Sequence, residues 1–283
     1  MRLFVCVLLA SACTPKSSST SQGSDPSSPS ETTQPATDTV VSQPTDRTGD
    51  AARIELLIAG ELSAAEAIPA ISWASGFPVS DGDSTWFVHW YEGGDWALAG
   101  DFNDWTPEPM TPANGFWYTE VKGEIEPGAG YKFVNNGSDW SADPWARSYR
   151  YDAYGEISFV TPPTDGFHLE RWRGLEGQGL AARDVVVYVP VGEGPFDVLY
   201  AHDGQNLFDP NAIWGGWRLD EALQNVDDML VVGIANTPDR MNEYVHVDDF
   251  VLGYDFVAEG DSYAALVHED LRPSAVLTVP AFE

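Results

Sequence analysis

The sequence predicts a multi-domain chain, in which an all-β sandwich is followed by an α/β unit with a parallel sheet. Between residues 85 and 160, five short apolar runs are separated by Gly, Pro, Asn and Asp, the pattern of strands joined by turns. After residue 183, three apolar runs suited to buried strands enclose a short helical pattern. Strand, helix and strand in that order are typical of a parallel α/β sheet.

The charge balance limits the kinds of partner. The chain carries 14 basic and 44 acidic residues, a formal net charge of -30 at pH 7. Such a surface repels nucleic acid, so we expect no nucleic-acid partner. The sequence has no Asp-x-Asp-x-Asp-Gly loop for calcium, and we predict neither a metal site nor a cofactor.

Residues 1–13 have the pattern of a bacterial secretion signal. Arg2 precedes the apolar run Leu3–Ala10, which is too short to span a bilayer, and small residues follow as far as Cys13. Leu9–Cys13 resembles a lipoprotein processing site, which implies that Cys13 is lipidated and anchors the protein to a membrane. We therefore expect a secreted, outer-membrane or cell-surface lipoprotein. The alternative is an ordinary signal peptide that is cleaved nearby.

Residues 14–50 are predicted to be a disordered linker. They are rich in Ser, Thr, Pro and Gln and have almost no large apolar side chains, so they cannot bury enough surface to offset the entropy of ordering. A flexible chain of this length spans roughly 35 Å on average. It would hold a folded body clear of a membrane surface.

Two helices are predicted before the first strand, at residues 51–58 and 63–73. Ser63 is the predicted N-cap of the second helix, because Glu66 lies three residues later as in a capping box. Pro69 is expected to end or kink that helix, since proline has no backbone N–H to donate.

The predicted sandwich, with these helices at its start, occupies residues 51–160. Its five strands are expected at residues 86–91, 96–99, 116–121, 131–134 and 156–160. Regular spacing of short strands with turn signals between them favours two packed sheets.

Several phrases of this region resemble the early-set, glycogen-binding type of immunoglobulin-like β-sandwich found beside many glucan-active enzymes. The matching residues are Gly100–Trp105, Gly115–Trp117, Pro127–Phe133, Trp140 and Asp143–Pro144. The resemblance implies an α-glucan site lined by Trp105, Lys132 and Trp140. An indole can stack on a pyranose ring, and an ammonium group can donate to hydroxyls. Glu156 begins a departure from the asparagine pair of sugar-binding members, and the alternative is that these residues only shape the sandwich.

Residues 161–273 are predicted to form the second unit, with residues 161–165 as the joint. Strands are expected at 183–190, 198–201 and 229–235, and a short helix at 217–223. Several segments of this unit resemble the esterase D and enterochelin-esterase-like branch of the α/β-hydrolases. The matching phrases are Val185–Pro190, Leu199–Phe208, Trp217–Asp220, Val231–Asn236 and Arg240–Tyr244. The resemblance implies part of an α/β-hydrolase fold that cleaves carboxylic esters by serine acyl transfer.

The turn after the second of these strands is the candidate oxyanion site. The resemblance implies that main-chain N–H groups of Asp203, Gly204 and Gln205 stabilise a negatively charged intermediate. We expect a glycine to be required at position 204, because a side chain there would obstruct the approach of the substrate oxygen. The alternative is a tight turn in which Asp and Asn side chains bond to their own backbone.

The nucleophile of such an enzyme is not evident. No Gly-x-Ser-x-Gly occurs before Glu283, although the serine, acid and histidine of this class follow the oxyanion turn. Ser262, in Gly260–Ala264, is the alternative nucleophile, but a nucleophile elbow needs a strand directly before it. We expect Asp261 or Ser262 to be the N-cap of a helix over residues 263–271 instead.

Residues 274–283 do not resemble the corresponding segment of this family, and a frame change or premature stop near Pro273 would explain them. We therefore expect a secreted lipoprotein of the esterase family that is inactive as written and has an exposed apolar sheet edge. The alternative function is a surface lipoprotein that binds α-glucan and carries a vestigial hydrolase half. A scaffold with neither activity is the third interpretation.

Overall fold

The computed structural model describes Phe4–Cys6 and residues 49–91, 93–226, 228–251 and 253–271. Apart from the backbone of Phe4–Cys6, the predicted signal peptide lies outside the described residues, as do Cys13, the linker up to residue 48 and the tail 274–283. In the described ranges, no helix is long and apolar enough to cross a membrane.

The described chain contains seventeen strands and five α-helices. The strands are β1 Phe4–Cys6, β2 Val79–Asp81, β3 Ser84–His89, β4 Trp96–Gly100, β5 Glu108–Pro109, β6 Thr111–Ala113, β7 Phe116–Lys122, β8 Gly130–Asn135, β9 Asp139–Ser141, β10 Ser148–Asp152, β11 Gly155–Phe159, β12 His168–Gly177, β13 Leu180–Val189, β14 Asp197–His202, β15 Met229–Ile234, β16 Asp249–Val251 and β17 Tyr254–Phe256. The helices are α1 Gly49–Ala59, α2 Ala64–Trp73, α3 Leu219–Leu223, α4 Arg240–Glu243 and α5 Gly260–Ala265, which continues as a π-helical segment over Leu266–Leu271.

Most strands belong to one eleven-stranded sheet with the order β1-β14-β15-β13-β12-β10-β11-β8-β4-β5, in which β9 pairs with β8. A four-stranded sheet has the order β2-β3-β7-β6, and β16 and β17 form a separate hairpin. All five strands predicted in the first unit are present.

The two sheets pack together through alternate residues of β3. Phe87 lies in a buried cluster with Leu98 and Phe133 of the large sheet. Trp86, on the opposite face of β3, packs with Ile54 of α1 in a separate cluster. The small sheet is therefore sandwiched between the large sheet and the helices. The predicted sandwich packing is present, whereas its early-set type stays a prediction.

The second unit has helices on both faces of its strands. Val187 of β13 belongs to a buried cluster with Leu266 after α5. Its neighbour Tyr188 belongs to another cluster, with Leu207 and with Leu223 of α3. Because successive side chains of a strand point to opposite faces, the sheet is covered on both sides. This mixed sheet with its helices fits the predicted partial α/β-hydrolase.

The prediction of a parallel sheet is correct for β14 and β15 but wrong for β13. Ala201 pairs with Gly233 in the parallel register of β14 and β15, whereas β13 runs antiparallel to β15. The reason is the short connection from β13 to β14: only residues 190–196 separate them, too few for the crossover that parallel strands need. At its other end, β13 is joined to β12 by a hairpin through Gln178 and Gly179, both with positive φ, at 52° and 74°. Two-residue turns with positive φ at both positions suit antiparallel strands.

The large sheet crosses the predicted joint between the two units without a break. Strand β10 of the first unit pairs with β12 of the second, with Ser148 opposite Glu170. Strand β12 was not predicted, because its charged residues interrupt any apolar pattern. Residues 161–165 connect β11 to β12 and do not separate two sheets.

The predicted bounds of α2 are confirmed, but Pro69 does not end the helix. Ser63 is the N-cap, and its backbone N–H and hydroxyl both donate to the Glu66 carboxylate, at 3.1 and 2.7 Å. Pro69 lies inside the helix, which continues to Trp73. Of the two effects expected of Pro69, ending or kinking the helix, the first is therefore wrong and the second stays a prediction.

A buried ion pair ties β13 to α4. The Nη1 and Nη2 atoms of Arg183 donate to the two carboxylate oxygens of Glu243, at 2.8 and 2.7 Å. The two side chains are 0% and 1% exposed. The Thr237 hydroxyl also donates to Glu243, at 2.8 Å. Such a pair is costly to break, because the remaining partner would be a buried charge without compensation.

We expect Glu243→Gln to destabilise the protein by about 3–5 kcal/mol, because it leaves the Arg183 guanidinium buried and unpaired. Urea unfolding followed by tryptophan fluorescence measures the change. Glu221→Gln is the matched control, since Glu221 pairs with Arg218 on the surface and should contribute little. Equal urea midpoints for the two variants would contradict the structural role of the buried pair.

Candidate active site

The candidate oxyanion turn lies at the carboxyl ends of the parallel strands β14 and β15. Asp203 follows β14 directly and has a left-handed backbone, with φ 56°. A 3-10 turn over Gly204–Asn206 comes next, and the Asn206 N–H donates to the Asp203 carbonyl at 2.9 Å. The first N–H groups of a helical turn have no partner within that turn. They are therefore suited to bind an acceptor.

The Asp203 side chain holds this turn in place. Its carboxylate accepts hydrogen bonds from Nε and Nη2 of Arg240, both at 2.8 Å, and from Nδ2 of Asn236 at 2.8 Å. Burial favours the neutral acid, but the bonds from Arg240 and Asn236 outweigh it and lower the pKa of Asp203 below its usual value. The carboxylate is thus ionised at neutral pH and serves as an anchor.

Gly204 is required by packing of the turn onto the sheet. A Cβ atom at Gly204 would lie 2.4 Å from the carbonyl carbon of Gly233 and 2.7 Å from the backbone nitrogen of Ile234. The expected reason for this glycine, space for a substrate oxygen, is therefore not needed to explain it. Gln205 adds a second tie, since its side-chain oxygen accepts the Asn236 N–H at 3.1 Å.

A cavity of about 240 Å³ adjoins the turn, and Gly204 and Gln205 line it. The opposite wall comes from the middle of the large sheet, with two tyrosines of β10 and two arginines of β12. These residues are Tyr149, Tyr151, Arg171 and Arg173. The cavity is thus built jointly by both predicted units.

The cavity wall is polar and its charges are largely paired. Arg171 Nη2 contacts both carboxylate oxygens of Glu156 at 3.0 Å, and its guanidinium lies 3.9 Å from the Tyr149 ring centre. Arg173 pairs with Asp184. Burial raises the pKa of Tyr149 to about 12, so this phenol is neutral at physiological pH. A neutral phenol and nearby guanidinium groups can orient an ester carbonyl or carboxylate.

These four wall residues belong neither to the segments that resemble a glycogen-binding sandwich nor to those that resemble the esterase family. Tyr149 and Tyr151 are two residues apart, as are Arg171 and Arg173, which places each pair on one face of a strand. That spacing of two residues was the signal in the sequence that could have indicated a polar strand face. It could not show that β10 and β12 are neighbours, because sheet pairing is not local in sequence.

Ser262 does not occupy a nucleophile elbow. It lies inside α5, which begins at Gly260 with Glu259 as its N-cap, so the prediction that Asp261 or Ser262 caps this helix is wrong. The Tyr263 N–H donates to the Glu259 carbonyl at 2.9 Å, which starts the helix earlier than expected. Among the described residues, no hydrogen bond joins Ser262 to a histidine.

The histidine closest in sequence to the oxyanion turn is held by aromatic residues. Nδ1 of His202 lies 2.9 Å from the Tyr263 hydroxyl, and the His202 ring centre is 5.0 Å from that of Tyr244. Burial lowers the pKa of His202, which keeps the imidazole neutral at physiological pH. This histidine connects β14 to α5, so its contacts are accounted for by packing.

Two of the three candidate sugar-binding residues, Trp105 and Trp140, lie next to each other. The ring centres of Trp105 and Trp140 are 6.3 Å apart, at an interplanar angle of 43°. Lys132 is only 9% exposed, and its ammonium group donates to the Tyr154 carbonyl at 3.0 Å. The two indoles therefore form a surface pair, while the lysine is engaged within the protein.

Comparisons with known proteins give no family assignment. No family model matches the chain, and no curated protein matches it. An IroE-like serine hydrolase from Shewanella oneidensis shares 20% identity, with a TM-score of 0.34, over 40% of this chain and 39% of that chain. Ferric enterobactin esterase from Salmonella typhimurium shares 12%, with a TM-score of 0.29, over 73% and 64%. Enterochelin esterase from Shigella flexneri shares 13%, with a TM-score of 0.29, over 72% and 63%.

This chain spans less than two thirds of each of these three solved structures. Their TM-scores are too low to support a conclusion about activity, so the function proposed for this chain rests on its own residues.

We expect Gly204→Ala to destabilise the protein by about 1–3 kcal/mol, the usual cost of forcing an extra carbon into a packed site. Gly166→Ala is the control, because its Cβ would meet only the end of the flexible Arg150 side chain. Chemical denaturation of both variants measures the difference. A Gly204→Ala protein as stable as Gly166→Ala would show that the turn does not pack on β15 as described.

Proposed function

We propose that this chain is a secreted esterase-family lipoprotein of the serine carboxylic-ester hydrolase type, which binds ester or carboxylate groups at the oxyanion turn. The observation that carries the proposal is the position of Gly204 and Gln205. They follow a parallel strand pair, at its carboxyl end, and line a cavity. Ligand sites of open α/β sheets lie outside the carboxyl ends of their strands.

In the proposed site, the N–H groups of Gly204 and Gln205 donate to the ligand oxygen. Donors fixed in advance stabilise developing negative charge without reorganisation. Asp203 does not touch the ligand in this proposal; it positions the turn through Arg240 and Asn236.

We further propose that the described residues bind this ligand without turning it over. Acyl transfer needs a nucleophilic hydroxyl activated by an adjacent base. Ser262, the alternative nucleophile, lies within a helix and has no histidine as a hydrogen-bond partner among the described residues. The proposed role of the described residues is therefore ester recognition without acyl transfer.

The proposed location is a bacterial membrane surface. Cys13 would carry the lipid anchor, and the predicted linker would separate the folded body from the lipid. The net charge of -30 repels anions, so binding of a carboxylate would depend on the local N–H donors of the turn.

We expect no hydrolysis of a chromogenic acyl ester such as p-nitrophenyl butyrate above the background rate. The Ser262→Ala protein should give the same trace, because Ser262 does not act as the nucleophile. Stopped assays at high protein concentration provide the measurement. Turnover that is abolished by Ser262→Ala would contradict this part of the proposal.

A second experiment, a titration, measures ligand binding by the turn independently of hydrolysis. A stable tetrahedral anion, an alkyl phosphonate monoester, should bind the unmodified protein and Gln205→Ala, which keeps the backbone N–H. Gln205→Pro lacks that N–H and should bind about tenfold or more weakly. Equal affinity of the two variants, by calorimetry, would contradict the role of this N–H group.

The alternative function, α-glucan binding, is favoured by one specific observation. Trp105 and Trp140 lie within ring-contact distance of each other, and Trp140 is 46% exposed. Neighbouring indoles can stack on sugar rings. Because Lys132 is bonded to the Tyr154 carbonyl, we propose that the two indoles alone would contact the glucan.

We expect maltoheptaose, if it binds, to change the tryptophan fluorescence of the full chain, and Trp140→Ala to remove that change. Trp214→Ala is the matched control, since Trp214 is 77% exposed but lies in the second unit. A titration of the unmodified protein without a fluorescence change or heat would rule out the glucan-binding alternative.

A further inference from the structure

A second cavity, of about 430 Å³, lies on the other face of strand β12. His168 and Glu170 line it, whereas Arg171 lines the first cavity. Adjacent residues of a strand point to opposite faces, so the two cavities are separated by the sheet. The second cavity is therefore distinct from the candidate oxyanion site.

The walls of the second cavity are largely apolar. The predicted joint contributes Pro162 and Pro163, the end of β13 contributes Val189, and Phe196 closes another side. Pockets of roughly 300–1,000 Å³ with apolar walls and a few polar groups are typical of small-molecule sites. The apolar surface suits the hydrocarbon body of a ligand.

Two buried polar side chains lie in these walls without a complete set of partners. His168 is 7% exposed and Glu170 is 3% exposed. Nε2 of His168 lies 3.5 Å from Oε1 of Glu170, yet among the described residues it has no hydrogen-bond partner. Oε2 of Glu170 accepts the indole N–H of Trp172 at 2.9 Å. Oε1 thus has the His168 ring nitrogen as a neighbour and accepts no hydrogen bond from the described residues.

The charges around the cavity favour a cation. Glu170 and Glu193 line it, and no lysine or arginine is among its described lining residues. Arg147 interacts electrostatically with Glu170, but it does not line the cavity, and its N–H groups donate to backbone carbonyls instead of the Glu170 carboxylate. It stacks 3.4 Å from the Trp172 ring centre and donates to the carbonyls of Ser72 and Arg171, both at 2.6 Å. Burial lowers the pKa of Arg147 to about 10, and Glu170 opposes that shift.

We propose that this cavity binds a small organic ammonium ion with an apolar body. The ammonium group would donate to Oε1 of Glu170, since a buried polar atom is unfavourable without a hydrogen bond. The hydrocarbon part would lie against the prolines and Phe196. A metal ion is disfavoured, because the described residues contain no group of three or more His, Cys, Asp or Glu able to hold one.

The test uses three probes that share one ring and differ in the polar group: cyclohexylammonium, cyclohexanol and cyclohexanecarboxylate. Calorimetric titration of the full chain at neutral pH should show binding of cyclohexylammonium at least about tenfold tighter than of the other two. Glu170→Gln should weaken it by a similar factor. Glu176→Gln is the matched control, because Glu176 lies on the same strand, is exposed and does not line the cavity.

Val191→Trp provides a test that leaves the buried carboxylate unchanged. Val191 lines the cavity and is 57% exposed, so a larger side chain there should obstruct the cavity without disturbing the core. We expect this variant to lose cyclohexylammonium binding, and it decides the question if Glu170→Gln does not fold. Equal affinity for the three probes, no binding of cyclohexylammonium, or undiminished binding by Val191→Trp would each overturn the proposal.

Discussion

The ion pair between Arg183 and Glu243 is the interaction on which the second unit of this protein depends. Helix α4 has only four residues, too few for a stable helix of its own. It is held in place because Glu243 pairs with the buried guanidinium of Arg183 on β13. At the other end of the helix, Arg240 donates hydrogen bonds to Asp203. One short segment therefore joins the centre of the sheet to the turn that lines the first cavity.

This arrangement explains what the segment Arg240–Tyr244 does in the structure. From the sequence alone, that segment is identified only by its resemblance to a family. Arg240 and Glu243 each neutralise a charge that would otherwise be buried alone, and Tyr244 packs beside His202. The carboxylate of Asp203 likewise has a structural role, as the partner of the Arg240 guanidinium. None of these groups is left over for proton transfer, so the charged residues around the turn are best understood as supports for its backbone.

The parts of the fold that were predictable have local signals. Strands such as β14 and β15 are continuous apolar runs, and the Ser63 cap is recognisable from Glu66 three residues later. Strand β12 was missed because Arg171 and Arg173 face a cavity and break its apolar pattern. The walls of both cavities were missed for a related reason, since each combines segments that are separated in sequence. The pairing of β10 with β12 brings together the tyrosines and arginines of the first cavity, and the pairing of β12 with β13 brings together the walls of the second.

The unbroken large sheet has a consequence for how this molecule can be divided. The backbone pairing of Ser148 and Tyr149 in β10 with Glu170 and Leu169 in β12 is shared by the two units, so a cut between them would leave backbone groups of both pieces without partners. Exposed strand edges of this kind recruit other chains. The sandwich and the hydrolase-like half therefore share one sheet, and a different module in place of either would need a strand that restores this pairing.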